Sequence, residues 1–217
     1  MDEYYFVNKK IEELLPILNN KESVYGVDKV RKSLDSAKTL DDKMDHVTLL
    51  EVGIVLSSLG KLEFEKKLKK PNPHDIVLTF KDTEIVVEIK RIRKTTRYDE
   101  IVQEMLDSDN FIELKDKGEL RRLVSKILDE KYMQLEDEFP NIVLIASKDI
   151  FFMATNVEDV ASEIIRFQNQ TIYPNYNGDL YIKLNALFHM NENTGEIKGF
   201  HVHRNEVIDD IIKELAS

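Results

Sequence analysis

The stretch His74-Asp75-Ile76-Val77-Leu78-Thr79-Phe80-Lys81-Asp82-Thr83-Glu84-Ile85-Val86-Val87-Glu88-Ile89-Lys90 decides how this chain is read. Asp75 opens an apolar run, Lys81 to Thr83 is polar, and a second run from Glu84 to Ile92 carries Glu88 and Lys90. Two apolar runs rich in β-branched residues, separated by a short polar break, predict a β-hairpin. Strand side chains alternate with period 2, so Glu88 and Lys90 project from one side, about 7 Å apart at the Cα. Glu84, Val86 and Ile92 share that side, and Ile85, Val87, Ile89 and Arg91 take the other. Whether the turn holds two or three residues, antiparallel pairing brings Asp75 opposite residues 88 to 90.

Two carboxylates and a lysine converging in this way suit a divalent cation. Hard oxygen ligands favour Mg²⁺ or Mn²⁺, which bind through one or two carboxylates and keep several waters. Lys90 then orients an attacking water or neutralises developing charge. The bland alternative is an ordinary cross-strand pair of Glu88 and Lys90 on a solvated face. A second carboxylate tilts the balance. Residues 47–59 read as an almost wholly apolar helix ending at Gly60, with Glu51 flanked by Val47, Ile54 and Val55. A buried carboxylate is costly without a partner, so Glu51 needs a cation, a raised pKa or a structural ion pair.

A long amphipathic helix is predicted from Glu119 to Phe139, with Lys131 inside its apolar stripe and Gln134 on the same face. A core-facing Lys is expensive unless it is partnered or snorkels outward. With that helix packed beside the sheet, both side chains come within reach of the carboxylates or of a substrate phosphate.

At 217 residues the chain can bury one sizeable core. It has no apolar stretch near 18 residues and no charged-then-apolar N-terminus, so neither a membrane span nor a secretory signal is expected. The absence of cysteine removes disulfides, thiolate metal sites and a Cys nucleophile, and a cytoplasmic protein is the simplest expectation. The net charge of −10 argues against a general nucleic-acid coat. Its distribution is uneven: between Lys61 and Arg97 eleven Lys/Arg stand against six Asp/Glu, so the remainder carries −15. That basic collar, Arg91 and Arg93 included, predicts a phosphate-binding patch with His74 and Lys131. A solvated charged surface is the alternative.

Around this core, residues 1–45 read as a helical N-terminal extension, with Val7, Ile11, Leu14 and Leu18 at helical spacing and a kink or break at Pro16. Lys61 to Leu68 suggests an edge strand, and Ile101 to Ile112 a mixed acidic helix. Asn141 to Ala146 suits a strand buried on both faces, and Val157 to Gln168 another helix. Asp179–Met190 and Ile197–His203 read as a late antiparallel pair, and Glu206–Leu215 as a closing helix. His201 and His203 would share a strand face, but no third metal ligand accompanies them.

The order of a helix with Glu51, then Asp75, then Glu88-Ile89-Lys90, then a helix with Lys131 and Gln134 leading into Asn141–Ala146, resembles the PD-(D/E)xK, or restriction-endonuclease-like, nuclease superfamily. The resemblance covers about residues 47 to 147, with residues 148–217 as C-terminal elaboration of a single domain. The family's usual proline before the Asp is absent, since this chain reads Pro73-His74-Asp75. The resemblance implies an α/β fold: a mixed four-stranded central sheet flanked by helices, here with an N-terminal helical extension and a C-terminal β-hairpin plus helix. It implies Glu51, Asp75, Glu88 and Ile89 as ligands of Mg²⁺ or Mn²⁺, Lys90 as the catalytic lysine, and Gln134 or Lys131 as auxiliary. The implied activity is phosphodiester hydrolysis, with DNA the expected substrate, and a homodimer or protein partner suits a chain with one centre that cuts both strands. The superfamily also has members without activity, so a silent nucleic-acid-binding or assembly module is the alternative.

Overall fold

The computed structural model describes residues 3–92, 130–131, 133–148, 157–162 and 183–216. Its strands are β1 (Val24–Tyr25), β2 (Lys61–Lys66), β3 (His74–Phe80), β4 (Thr83–Arg91), β5 (Asn141–Ser147), β6 (Leu184–Asn191) and β7 (Ile197–His201). Its helices are α1 (Glu3–Asn19), α2 (Val27–Ser36), α3 (Leu40–Leu56) and α4 (Glu206–Leu215), and residues 157–162 are also helical.

The predicted hairpin is β3–β4. Lys81 and Asp82 both take positive φ, 47° and 63°, which gives the two-residue turn whose twist matches that of the flanking strands. Phe80 pairs with Thr83 and Ile76 with Val87, so Asp75 falls opposite Glu88. The described strands form one sheet in the order β1 to β7. β2, β3 and β4 run antiparallel, β4, β5 and β6 run parallel, and β7 returns antiparallel to β6. The sheet is therefore mixed, as expected, and wider than four strands. β5 lies inside it, between β4 and β6, with every residue buried, because parallel neighbours and covered faces leave it no solvent side.

One face carries Ile76, Leu78, Ile85 and Val87 against Leu18 of α1, Val30 and Leu34 of α2, Leu50 of α3 and Ile208 of α4. The other face packs Val143, Ile145 and Leu187 against Leu135 and the helical turn at Val157 and Val160. The N-terminal helices, read from sequence as an extension, are thus part of the main core, and β1 joins the sheet beside β2. That pairing makes β2 an inner strand along its first residues. Pro16 does not break α1, which continues to Asn19.

Two boundaries differ from expectation for local reasons. α3 begins at Leu40, where Thr39 accepts from the Asp42 N–H and the Asp42 side chain accepts from the Thr39 N–H. That reciprocal box starts the helix two turns before its apolar run. Gly60 does not take the left-handed cap conformation; a Cβ there would lie 2.2 Å from the Thr79 carbonyl oxygen. It is glycine because β3 passes too close for any side chain. The predicted helix to Phe139 is also shorter: Glu130 and Lys131 are helical, and residues 133–139 turn and bend instead. Ile101–Ile112 and Arg93 lie outside the described residues. Among the described residues no helix is long and apolar enough to cross a membrane.

Candidate active site

At the end of the hairpin away from its turn, the β3–β4 ladder stops at Ile76–Val87. The next donor that faces β3, the Ile89 N–H, goes to Asp75 Oδ2 at 2.7 Å. Val86 and Ile92 direct their N–H groups to the β5 side, so by the alternation of parallel pairing the N–H and C=O of Ile89 both lie on the β3 side. A side-chain carboxylate thus replaces a backbone acceptor where the strands part.

Glu88 is fully buried, and Asp75 is about one-third exposed. The Lys131 ammonium lies between them, 2.9 Å from Asp75 Oδ2 and 3.0 Å from Glu88 Oε2. The other Glu88 oxygen, Oε1, is 2.8 Å from His74 Nδ1. His74 Nε2 is 3.0 Å from Glu136 Oε1, and that same oxygen accepts the Lys69 and Lys70 backbone N–H groups. Asn141 fixes the far end, accepting from the Glu136 N–H and donating to the Glu136 and Phe139 carbonyls. One hydrogen-bonded chain therefore runs from the start of β5 through Glu136, His74, Glu88 and Lys131 to Asp75.

The electrostatics follow from burial against pairing. Burial raises the pKa of Glu88, and the bonds from His74 and Lys131 only partly oppose it. Burial alone would lower Lys131, but Asp75 and Glu88 hold it above its ordinary value. For His74, too, the penalty of burial is outweighed by Glu88 and Glu136, and its pKa rises. Glu136 ends below its usual range, because the Lys70 N–H and His74 outweigh its desolvation.

Next to this pair opens a cleft of about 240 Å³ lined by Asp45, His46, Leu49, Glu65, Asp75, Ile89, Lys90 and Arg91. Its lining holds three carboxylates against Lys90 and Arg91, and Arg91 is committed to Asp41 and, at 2.7 Å, to Asp45. Lys90 projects on the Glu88 side and meets Glu130 at 2.9 Å, both side chains 43% exposed.

The structure brings Asp75, Glu88, Ile89, Lys90 and Lys131 together. It does not bring Glu51 to them. Glu51 pairs with Lys10 of α1, the structural ion pair weighed as its alternative, and the α3 carboxylate at the cleft is Asp45. His74 is 1% exposed, so it props Glu88 from behind and does not face a substrate phosphate. Arg91 is held by α3 carboxylates, and Gln134 lies in a turn beyond the helix with its Oε1 buried and unpartnered. His201 pairs with Asp209 at 3.1 Å, and His203 lies past the end of β7. Sequence reading missed Asp45, Glu136 and Asn141. The Thr39-x-x-Asp42 box signalled the first, and the acidic run Glu136-Asp137-Glu138, unfavourable at a helix C-terminus, signalled the second.

Among the described residues, part of the basic collar is paired with acids, while Arg93, Lys94 and Arg97 lie outside them. Lys66 meets Glu84, Lys69 meets Glu138, Lys81 meets Asp210 and Lys90 meets Glu130. Three of these acids, Glu138, Asp210 and Glu130, are distant in the chain and offset part of an excess that is local in sequence.

Fold and site define the class as an α/β protein with a mixed sheet, seven-stranded among the described residues and flanked by helices, and a carboxylate pair where two strands diverge. No family model, curated protein or solved structure matches this chain.

Proposed function

We propose that this protein is a divalent-metal-dependent nuclease of the restriction-endonuclease-like type, hydrolysing phosphodiester bonds in DNA. The observation that carries the reading is a cation already lodged between two carboxylates: the Lys131 ammonium lies within 3.0 Å of both Asp75 and Glu88. A pocket that accepts one cation there, with oxygen donors alone around it, fits Mg²⁺ or Mn²⁺. Asp75 and Glu88 would hold the ion through their carboxylates, and Ile89 through its carbonyl. When bound, such an ion acidifies a water and offsets charge on the transferring phosphoryl group. The chain's own residues do the rest. Lys90 is anchored only by an exposed pair, which is worth little, so its ammonium is available to orient the attacking water. The Asp75 and Glu88 carboxylates repel a phosphodiester unless a cation offsets them, which makes hydrolysis metal-dependent. The cytoplasm is the compartment proposed with this activity.

A second reading, a silent nuclease-like domain for binding or assembly, is favoured by one observation: both Glu88 oxygens already have protein donors. Plasmid and oligonucleotide cleavage with Mg²⁺ or Mn²⁺ separates the two. The nuclease reading expects cleavage by the natural protein and loss of at least about a hundredfold in Asp75→Ala and Lys90→Ala. Equal rates in all three proteins, or no cleavage of DNA or RNA by any, would sink it.

A further inference from the structure

Lys131 has a place in this site that neither its helix nor the proposed chemistry requires. Its side chain is only 13% exposed, and a buried ammonium is tolerable only where carboxylates surround it. Its Nζ takes Asp75 Oδ2 and Glu88 Oε2 together, at 2.9 and 3.0 Å. Those two oxygens are the ones that a bridging divalent ion would need. Mg²⁺ and Mn²⁺ bind carboxylate oxygens at about 2.1 Å, so an ion bridging the pair and this ammonium claim the same space. Their like charges also exclude one another at such range.

We infer that Lys131 is a built-in competitor for the divalent cation: its ammonium offsets part of the charge of the carboxylate pair when no metal is bound, and metal binding requires its departure. The inference rests on the metal-site reading above and adds what sets the affinity of that site. A substitution at position 131 tunes metal binding without touching a ligand. Loading the metal also releases an ammonium beside the cleft, where it meets substrate phosphate only after the ion has entered. The site is thereby protected from collapse of its paired negative charges, at the cost of weaker metal binding.

The test is Mn²⁺ binding by calorimetry and electron paramagnetic resonance to the full chain and to Lys131→Met, which keeps the stem and removes the charge. Lys131→Gln serves as the second variant. Losing competition from two charge-assisted hydrogen bonds predicts binding roughly tenfold to a hundredfold tighter in both variants. Without metal they melt below the natural protein, and Mn²⁺ raises their melting temperature by more than it raises that of the natural protein. A measurement on the natural protein stands even if the variants fail to fold: acetylation of Lys131 by an N-hydroxysuccinimide ester, read by mass spectrometry, is faster with Mn²⁺ than without. Equal or weaker binding by the variants, or labelling that Mn²⁺ leaves unchanged, overturns the competitor role while the metal site stands. No Mn²⁺ binding by any of the proteins overturns the competitor role and the metal-dependent reading together.

Discussion

His74 sits between two carboxylates, one from β4 and one from the turn before β5, and is 1% exposed. Removing its ring leaves Glu88 and Glu136 facing a gap, and breaking a buried charge pair typically costs 3–5 kcal/mol. His74→Ala is therefore expected to lose about 3 kcal/mol in urea unfolding at pH 6. The pH dependence has a definite sign. Because Glu88 and Glu136 raise the folded-state pKa of His74, its contribution is complete below about pH 6.5 and is lost as pH rises through the folded value. His189 on β6 behaves oppositely, since burial lowers its pKa from 6.5 to about 4. Its contribution is complete above 6.5 and is lost as pH falls toward 4, over a range worth roughly 2–3 kcal/mol. His189→Leu should flatten the fall in melting temperature between those values, and an unchanged acid limb would contradict the assignment.

At the scale of elements, α3 and its contacts decide where the site's side chains stand. Thr39→Ala removes the box that starts α3 and is expected to cost about 1 kcal/mol. Gly60→Ala sets a methyl 2.2 Å from a backbone oxygen of β3, which no rotamer relieves, so a loss of about 2 kcal/mol or more is expected. Denaturant midpoints check both. These same positions mark what the sequence could convey. The β3–β4 hairpin and β5 were legible because period-2 alternation and an unbroken apolar run each have a single structural solution. Convergence of Asp75 with Glu88 was legible for the same reason, since it survives any short turn. The choice between Glu51 and Asp45 was not. Both sit on one helix, and which one meets the cleft depends on how α3 rotates against α1, where Lys10 draws Glu51 away. Lys131 was legible as a buried cation in need of carboxylates, but nothing local said that it would take both. Glu136 and Asn141 were hidden by the predicted helix to Phe139, whose apolar period outweighed the acidic run that ends it.

At the scale of the molecule, some of the charge that is local in sequence is offset in space among the described residues. Lys69, Lys81 and Lys90 of the collar meet acids at residues 138, 210 and 130, and the Arg91 guanidinium meets α3 carboxylates. At the site stands a carboxylate pair with a lysine between its oxygens, beside a cleft that Asp45 and Glu65 also line. Under the proposed function such a site would engage a polyanion through a divalent ion, so metal dependence is central to that proposal. Glu51 supplies an internal control, because it shares α3 with the cleft residue Asp45 but pairs with Lys10. The most direct measurement is single-turnover cleavage of a labelled DNA duplex across a Mn²⁺ titration, for the natural protein, Glu88→Gln and Glu51→Gln. The account predicts Mn²⁺-dependent cleavage by the natural protein and by Glu51→Gln at similar rates, with Glu88→Gln slower by at least about a hundredfold. Cleavage by Glu88→Gln at the natural rate, or no Mn²⁺-dependent cleavage by any of the three, would contradict it.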